Sequence, residues 1–258
     1  MYHWRMELSL FCDTYIIAEY LRLKKVLDDM PRYNAGVHNG IPVIREYSGS
    51  GDKITVKTAH LNTKTYIEFL KRLTLFEQYN SLKKIYKNEI NRRHLSIPSE
   101  FKFISEQSEF DYKFWNQAVP CSNGRKNDTD YKDEYGYKVR SRGEIIVGSA
   151  LKDLGLEAKF EPLLSLKNGK IKSPDYVFPV KIINRCFFIE FIGMTDDVDY
   201  MNRNYGKTDE YMRSGILPNR DLILICGKEN WIPTQGEIKR IIASFINNAV
   251  LRTYNKNE

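Results

Sequence analysis

Two acids set in apolar, β-prone surroundings are the first residues that could do chemistry. Asp175 lies in Ser173-Pro-Asp-Tyr-Val-Phe178, and Glu190, fifteen residues on, lies in Phe187-Phe-Ile-Glu-Phe-Ile-Gly193. A carboxylate in such a setting is costly to desolvate unless something binds it, and a divalent cation is a common partner. If the two runs are adjacent antiparallel strands, about 4.8 Å apart, the acids can share one cation wherever the register sets them alongside. Mg²⁺ keeps several of its waters, so two carboxylates and a backbone carbonyl suffice to hold it. Mg²⁺ or Mn²⁺ held this way can activate water and neutralise charge on a phosphodiester in its transition state.

The elements that must position these acids follow from periodicity. Residues 141–154 read as a short amphipathic helix with Ile145, Ile146, Ala150, Leu151 and Leu154 inward and Gly155 as its stop. This helix carries a third acid, Glu144. A short strand over 156–161 and two hairpin arms over 174–180 and 186–193 come next. They are followed by a helix over 199–214, a buried strand over 221–226 and a closing helix over 236–251. Helix, three strands, helix, strand, helix is an α/β order with a central sheet, and it would bring Glu144, Asp175 and Glu190 together.

The first half reads differently. An apolar stripe predicts a helix over 14–30, ended by Pro31. Two β-rich runs, 41–47 and 54–59, flank Ser48-Gly-Ser-Gly-Asp-Lys53 and predict a hairpin, either structural or a nucleic-acid wing. From 62 to 93 a long helix is expected, with Tyr66, Phe69, Leu70, Leu73, Phe76, Tyr79, Leu82, Ile85 and Tyr86 on its apolar side. Its other side carries Lys83, Lys84 and Lys87 with further basic residues, a face that is either solvated or tracks phosphates. Periodicity fades over 96–138, where an aromatic anchor at Phe114 and Trp115 precedes the polar run Cys121-Ser-Asn-Gly-Arg-Lys-Asn-Asp-Thr-Asp130. The expected division is thus 1–135, a mainly helical region with a β-hairpin and linker, and 136–258, the α/β domain.

Composition narrows the partners. The chain of 258 residues carries a formal charge of +7, which favours an anionic partner such as DNA. Through Tyr135 there are 21 basic against 18 acidic residues, and beyond it 19 against 15, so neither half is a basic tail and any nucleic acid must meet a folded surface. No apolar run approaches the roughly 20 residues that span a bilayer, and the opening Met-Tyr-His-Trp-Arg-Met-Glu lacks a signal-peptide layout. Four cysteines without close spacing fit a reducing cytoplasm and suggest neither a zinc knuckle nor a redox dithiol. The four histidines show no metal-ligand spacing, and His38-Asn-Gly lacks the partner histidine that a ββα-metal site needs. Phosphate-binding glycine loops and nucleophile elbows are missing, which argues against a nucleotide-driven motor, a dinucleotide enzyme or an acyl-transfer enzyme.

Residues 140–227 resemble the PD-(D/E)xK nuclease superfamily, the restriction-endonuclease-like fold. The likeness is carried by Val139-Arg-Ser-Arg-Gly-Glu144, Phe160-Glu-Pro162, Pro174-Asp175 and Ile189-Glu-Phe-Ile-Gly-Met194, which are similar to an uncharacterised bacterial and phage group of that superfamily. The resemblance implies a central mixed sheet flanked by helices and a Mg²⁺ (or Mn²⁺) site formed by Asp175, Glu190 and Glu144. The expected activity is DNA cleavage, with a homodimer plausible for cutting two strands. It departs at Ile192, where the superfamily usually has lysine. In the similar group a lysine stands on the following helix, one turn before a tyrosine that precedes Gly-Ile. Lys207, Tyr211 and Gly215-Ile216 fit that spacing, so Lys207 either supplies the missing ammonium or is a surface lysine. Arg140 and Arg142 flank the helix of Glu144 and either touch a phosphate or are solvated; Glu161 is either a further acid of the site or a solvated strand end. The rival to a nuclease is a nucleic-acid-binding or assembly module that keeps the fold and has lost the chemistry at Ile192.

Overall fold

The computed structural model describes residues 6–29, 33–48, 53–99, 103, 108–119 and 131–254. The expected linker run 121–130, the turn residues 49–52 and His3 lie outside the described residues. The chain forms two compact units, Met1–Tyr15 with Pro98–Glu258, and Ile16–Ile97. The boundary therefore differs from the expected one at residue 135. Long-range contacts draw both flanks of the Ile16–Ile97 unit into the other: Trp115 joins the core of the C-terminal sheet, the Glu7 N–H donates to the Asp153 carbonyl (3.1 Å), and the Cys12 N–H donates to Asn247 Oδ1 (2.9 Å).

A helix, α1 (Asp13–Asp29), starts in the first unit and runs into the second. The Ile16–Ile97 unit then forms an antiparallel meander of β1 (Tyr33–His38), β2 (Ile41–Ser48) and β3 (Lys53–Thr58). The β2–β3 hairpin is the one expected, and β1 is an addition to it. Its signal is Asn39-Gly40, both at positive φ, the two-residue turn whose twist matches that of paired strands. The final helix of this unit, α2 (Lys64–Arg92), is capped by Thr63, whose hydroxyl accepts the Tyr66 N–H at 3.2 Å. Phe69 packs with Ile44 and Ala59, supported by Tyr66 and Leu73, and Tyr86 and Ile90 are buried further on. Between them Leu70, Leu75 and Phe76 are exposed, Phe76 at 47%. The apolar stripe is thus not buried along its whole length: 29 residues make a rod of roughly 43 Å, longer than the six- to eight-residue strands beside it.

In the larger unit a short helix, α3 (Tyr112–Gln117), precedes α4 (Arg142–Asp153). The strands β4 (Lys159–Phe160), β7 (Tyr176–Val180), β8 (Arg185–Ile192) and β9 (Leu222–Cys226) form a four-stranded sheet in that order. The first three are antiparallel neighbours and β9 runs parallel to β8, so the sheet is mixed. Two short strands, β5 (Leu164–Ser165) and β6 (Ile171–Lys172), pair separately. The remaining helices are α5 (Val198–Arg213), which joins β8 to β9, and α6 (Gln235–Thr253). All eight residues of β8 are buried, as a central strand covered on both faces requires. Val177, Cys186, Phe188 and Leu222 face Trp115 of α3 and Tyr211 of α5, while Phe187 meets Phe245 of α6 edge-on at 5.1 Å between ring centres. Among the described residues no helix is long and apolar enough to cross a membrane.

The start of α4 matters for the site. Ser141 Oγ accepts the Glu144 N–H at 3.2 Å, fixing the first turn and the place of Glu144. Ser141→Ala should therefore cost about 1 kcal/mol, read as a lowered urea midpoint with an unchanged slope.

Candidate functional site

Strand register brings the two principal acids together. The last paired residues of β7 and β8 are Tyr176 and Ile189, so one further step sets Asp175 opposite Glu190, on the face that carries Val177 and Phe188. On the other side of β7 the Glu161 N–H donates to the Asp175 carbonyl at 2.8 Å, extending the β4–β7 pairing by one residue. Glu161, Asp175 and Glu190 thus occupy one rung across three strands.

Glu190 is buried and its Oε1 accepts from the Tyr211 hydroxyl at 2.8 Å. The same oxygen meets Lys207 Nζ at 2.6 Å, and that ammonium also donates to the Ser173 carbonyl at 3.0 Å. Lys207 keeps 26% of its side chain exposed. The lysine thus touches the acid while part of its side chain stays at the surface. Position 192 itself is buried isoleucine. Asp175 Oδ2 accepts the Phe191 N–H at 2.7 Å. These contacts fall on one oxygen of each acid, leaving Glu190 Oε2 and Asp175 Oδ1 available, among the described residues, to a further ligand.

Glu144 approaches from a different layer. Its Oε2 accepts the Arg140 N–H at 2.7 Å, and its helix is held against β7 by Tyr176, whose hydroxyl donates to the Glu144 carbonyl (3.0 Å) and to Asp133 Oδ2 (2.8 Å). The Arg140 guanidinium pairs with Glu161 and lies 3.9 Å from Glu144 Oε1, so its charge is already matched by acids of the same cluster. Arg142 is exposed on the first turn of α4. Lys83 is half-buried and Lys84 and Lys87 are placed with it on α2, in the other unit.

Burial makes ionisation of these acids costly. Burial, and then the Asp175 charge, push the Glu190 carboxyl up to about 8, outweighing the pull of Lys207 and Tyr211. Burial followed by Asp175 lifts Glu144 to about 7, against the Arg140 N–H and guanidinium. Asp175 is raised by burial, with Lys207 and the Phe191 N–H opposing. Burial also raises the Tyr211 and Tyr176 phenols, which therefore remain donors.

The chain matches no protein-family model, no curated protein and no solved structure. The site must therefore be judged on its own donors. Two buried carboxylates set opposite each other, their ionisation held back chiefly by burial, fit a hard divalent cation that brings its own waters. Among the described residues no three His, Cys, Asp or Glu side chains converge as a ready-made metal cage. Glu144 lies on α4, where its carboxylate accepts the Arg140 N–H while still feeling the Asp175 charge, and Asp175 and Glu190 are the two acids that strand register sets opposite each other.

In the sequence Tyr211 serves only as a spacing marker, although its buried hydroxyl holds Glu190. Asp133 goes unmarked there too, yet its carboxylate accepts the N–H groups of Tyr135 (3.0 Å) and Tyr137 (2.8 Å) and anchors Tyr176. The signal for it is Asp133-Glu-Tyr-Gly136, a turn with aspartate first and glycine at positive φ last.

Proposed function

We propose that the chain is a divalent-metal-dependent DNA nuclease built on a restriction-endonuclease-like core of the PD-(D/E)xK type. The observation that carries this reading is the 2.6 Å contact of Lys207 Nζ with Glu190 Oε1, in a rung that also holds Asp175. An acid pair with an adjacent ammonium is the minimal set for phosphodiester hydrolysis, and here the ammonium comes from α5 in place of Ile192. The element order α4, β4, β7, β8, α5, β9 also agrees with the order expected for that core.

In this reading Asp175 and Glu190 hold Mg²⁺ or Mn²⁺, which when bound polarises the phosphodiester and its attacking water. Lys207 orients the water and offsets charge developing on the phosphate oxygens. Tyr211 fixes the Glu190 carboxylate so that its second oxygen faces the ligand. Glu144 accepts a hydrogen bond from a water of the site, and Arg142 meets the DNA backbone. Cutting both strands of a duplex would use a second copy of the chain. The protein incubated with plasmid and linear DNA in Mg²⁺ or Mn²⁺ should cleave, and Asp175→Ala and Glu190→Ala should not; cleavage surviving both substitutions would sink the assignment.

A second reading, a nuclease-fold module that binds nucleic acid without cutting it, is favoured by the lack of a three-ligand cage among the described residues and by the ion pair that already opposes the Glu190 charge. It predicts salt-sensitive DNA binding with no metal-dependent cleavage.

A further inference from the structure

At the end of β9 lies a pocket of about 680 Å³ lined by Thr195, Cys226, Gly227, Lys228, Asn230 and Trp231. Its aromatic lining residue is Trp231, 51% exposed. An indole presents a large apolar face that water solvates poorly, and its exposure inside a concave site calls for an occupant. The ring is not on a loose loop. Lys228 N–H donates to the Trp231 carbonyl at 2.8 Å and Trp231 N–H donates back to the Lys228 carbonyl at 3.0 Å, closing a tight four-residue turn. Thr195 ties the pocket to the β8–α5 connection through its N–H and hydroxyl, which donate to the Gly227 carbonyl at 3.1 and 2.7 Å. On the far side, Thr234 and Glu237 form a capping box that fixes the start of α6 three residues after Trp231.

The pocket borders Phe191, which follows Glu190 in β8 and leaves the opposite face of the strand. Phe191 packs so closely on Gly143 that a Cβ there would lie 1.9 Å from the ring, and a Cβ at Gly227, in the pocket lining, would lie 3.2 Å from it.

We infer that this pocket receives an unpaired nucleobase, stacked on Trp231, with Asn230 reading or steadying its edge and Lys228 meeting the adjoining phosphate. The substrate strand is then single-stranded where it approaches the acids, a refinement that rests on the nuclease reading for its consequence though not for the binding itself. The chemistry favours a nucleobase over an apolar peptide segment, because the lining sets one aromatic residue beside Lys228 and Asn230. Every base offers a π-face to an indole, whereas a base inside a duplex is already stacked on both sides and cannot enter.

The test is a binding titration of the full chain in EDTA at moderate salt, where no metal-dependent cleavage occurs. Three fluorescein-labelled probes are compared: a short oligothymidylate, the same strand made abasic, and a blunt duplex of equal length. Oligothymidylate should bind the unaltered protein about tenfold or more tightly than the abasic strand does, the range expected for one stacked base. It should also quench a tryptophan emission that is missing in Trp231→Phe. Trp231→Ala should bind oligothymidylate as weakly as the unaltered protein binds the abasic strand, and Trp231→Phe should keep most of the affinity. Equal affinity for the oligothymidylate and abasic strands, or preference for the duplex, would overturn the inference; that comparison uses the unaltered protein, so it stands even if Trp231→Ala folds poorly. Base-dependent binding in EDTA with intact DNA in Mg²⁺ would instead uphold the pocket and remove the nuclease reading.

Discussion

Replacing Lys207 with methionine is expected to lower Mg²⁺-dependent DNA cleavage by about 10²- to 10³-fold, the usual loss when one preorganised charge or donor is withdrawn from a developing oxyanion. Methionine preserves the unbranched length and helix preference of the side chain while removing the ammonium that meets Glu190 Oε1 and the Ser173 carbonyl. DNA binding in EDTA should change little, which separates a lost chemical step from a lost surface charge. The double variant Lys207→Met, Ile192→Lys gives the sharper result. Residue 192 lies two positions beyond Glu190 on β8 and so on the same face of the sheet, and a lysine there should recover part of the activity. Single-turnover rates measured for the three proteins decide the point. An unchanged rate in Lys207→Met would leave the lysine a structural partner of Glu190 and nothing more.

Glu190→Gln should abolish cleavage and yet stabilise the metal-free protein at alkaline pH. In the folded chain this carboxyl titrates near 8, against 4.5 for the ordinary group. Between those values the folded state retains a proton that the unfolded chain has released, so rising pH favours unfolding. The stability associated with this group is complete below the unfolded value and has gone once pH passes about 8. Glutamine keeps an oxygen for Tyr211 and Lys207 and has no charge to desolvate. Its advantage over the parent should therefore be small near pH 5 and grow to the order of a few kcal/mol by about pH 9. Glu144, raised to about 7 in the same direction, is present in both proteins and cancels from the difference. Thermal melts in EDTA across that range test the sign. An advantage that shrinks as pH rises would show that Lys207 holds Glu190 ionised. Adding Mg²⁺ should raise the melting temperature of the parent and leave Glu190→Gln nearly unmoved.

Both results turn on residues that the amino-acid sequence alone singles out, and the reason is local. Asp175 and Glu190 are joined by a short hairpin whose register follows from the chain between them, and alternation along β8 then fixes the face that Glu190 presents. Lys207 is reached through a family likeness, because nothing in the pattern of α5 distinguishes it from other lysines on an amphipathic helix. What escapes is long-range or small. The aromatic segment at Phe114 and Trp115 reads as an anchored linker, and only the packing of Trp115 against β8 and α5 shows that it belongs to the sheet's own core. Periodicity puts Phe76 on the apolar side of α2, but it reports a face and not what covers it; Phe76 stays exposed. Glu144 sits on the expected helix at the expected end, but periodicity does not show that its carboxylate accepts the Arg140 N–H.

In an acid-x-lysine strand the pleat alone sets the distance between carboxylate and ammonium, and nothing short of unfolding alters it. Here the two charges belong to β8 and α5, and the buried Tyr211 that anchors α5 binds the same glutamate oxygen as the lysine does. The separation of the charges thus becomes an adjustable quantity, governed by how one helix seats on the sheet. A slide of α5 along the sheet would pull tyrosine and lysine from Glu190 together, so that anything gripping the exposed side of this helix gains a hold on the charge pair.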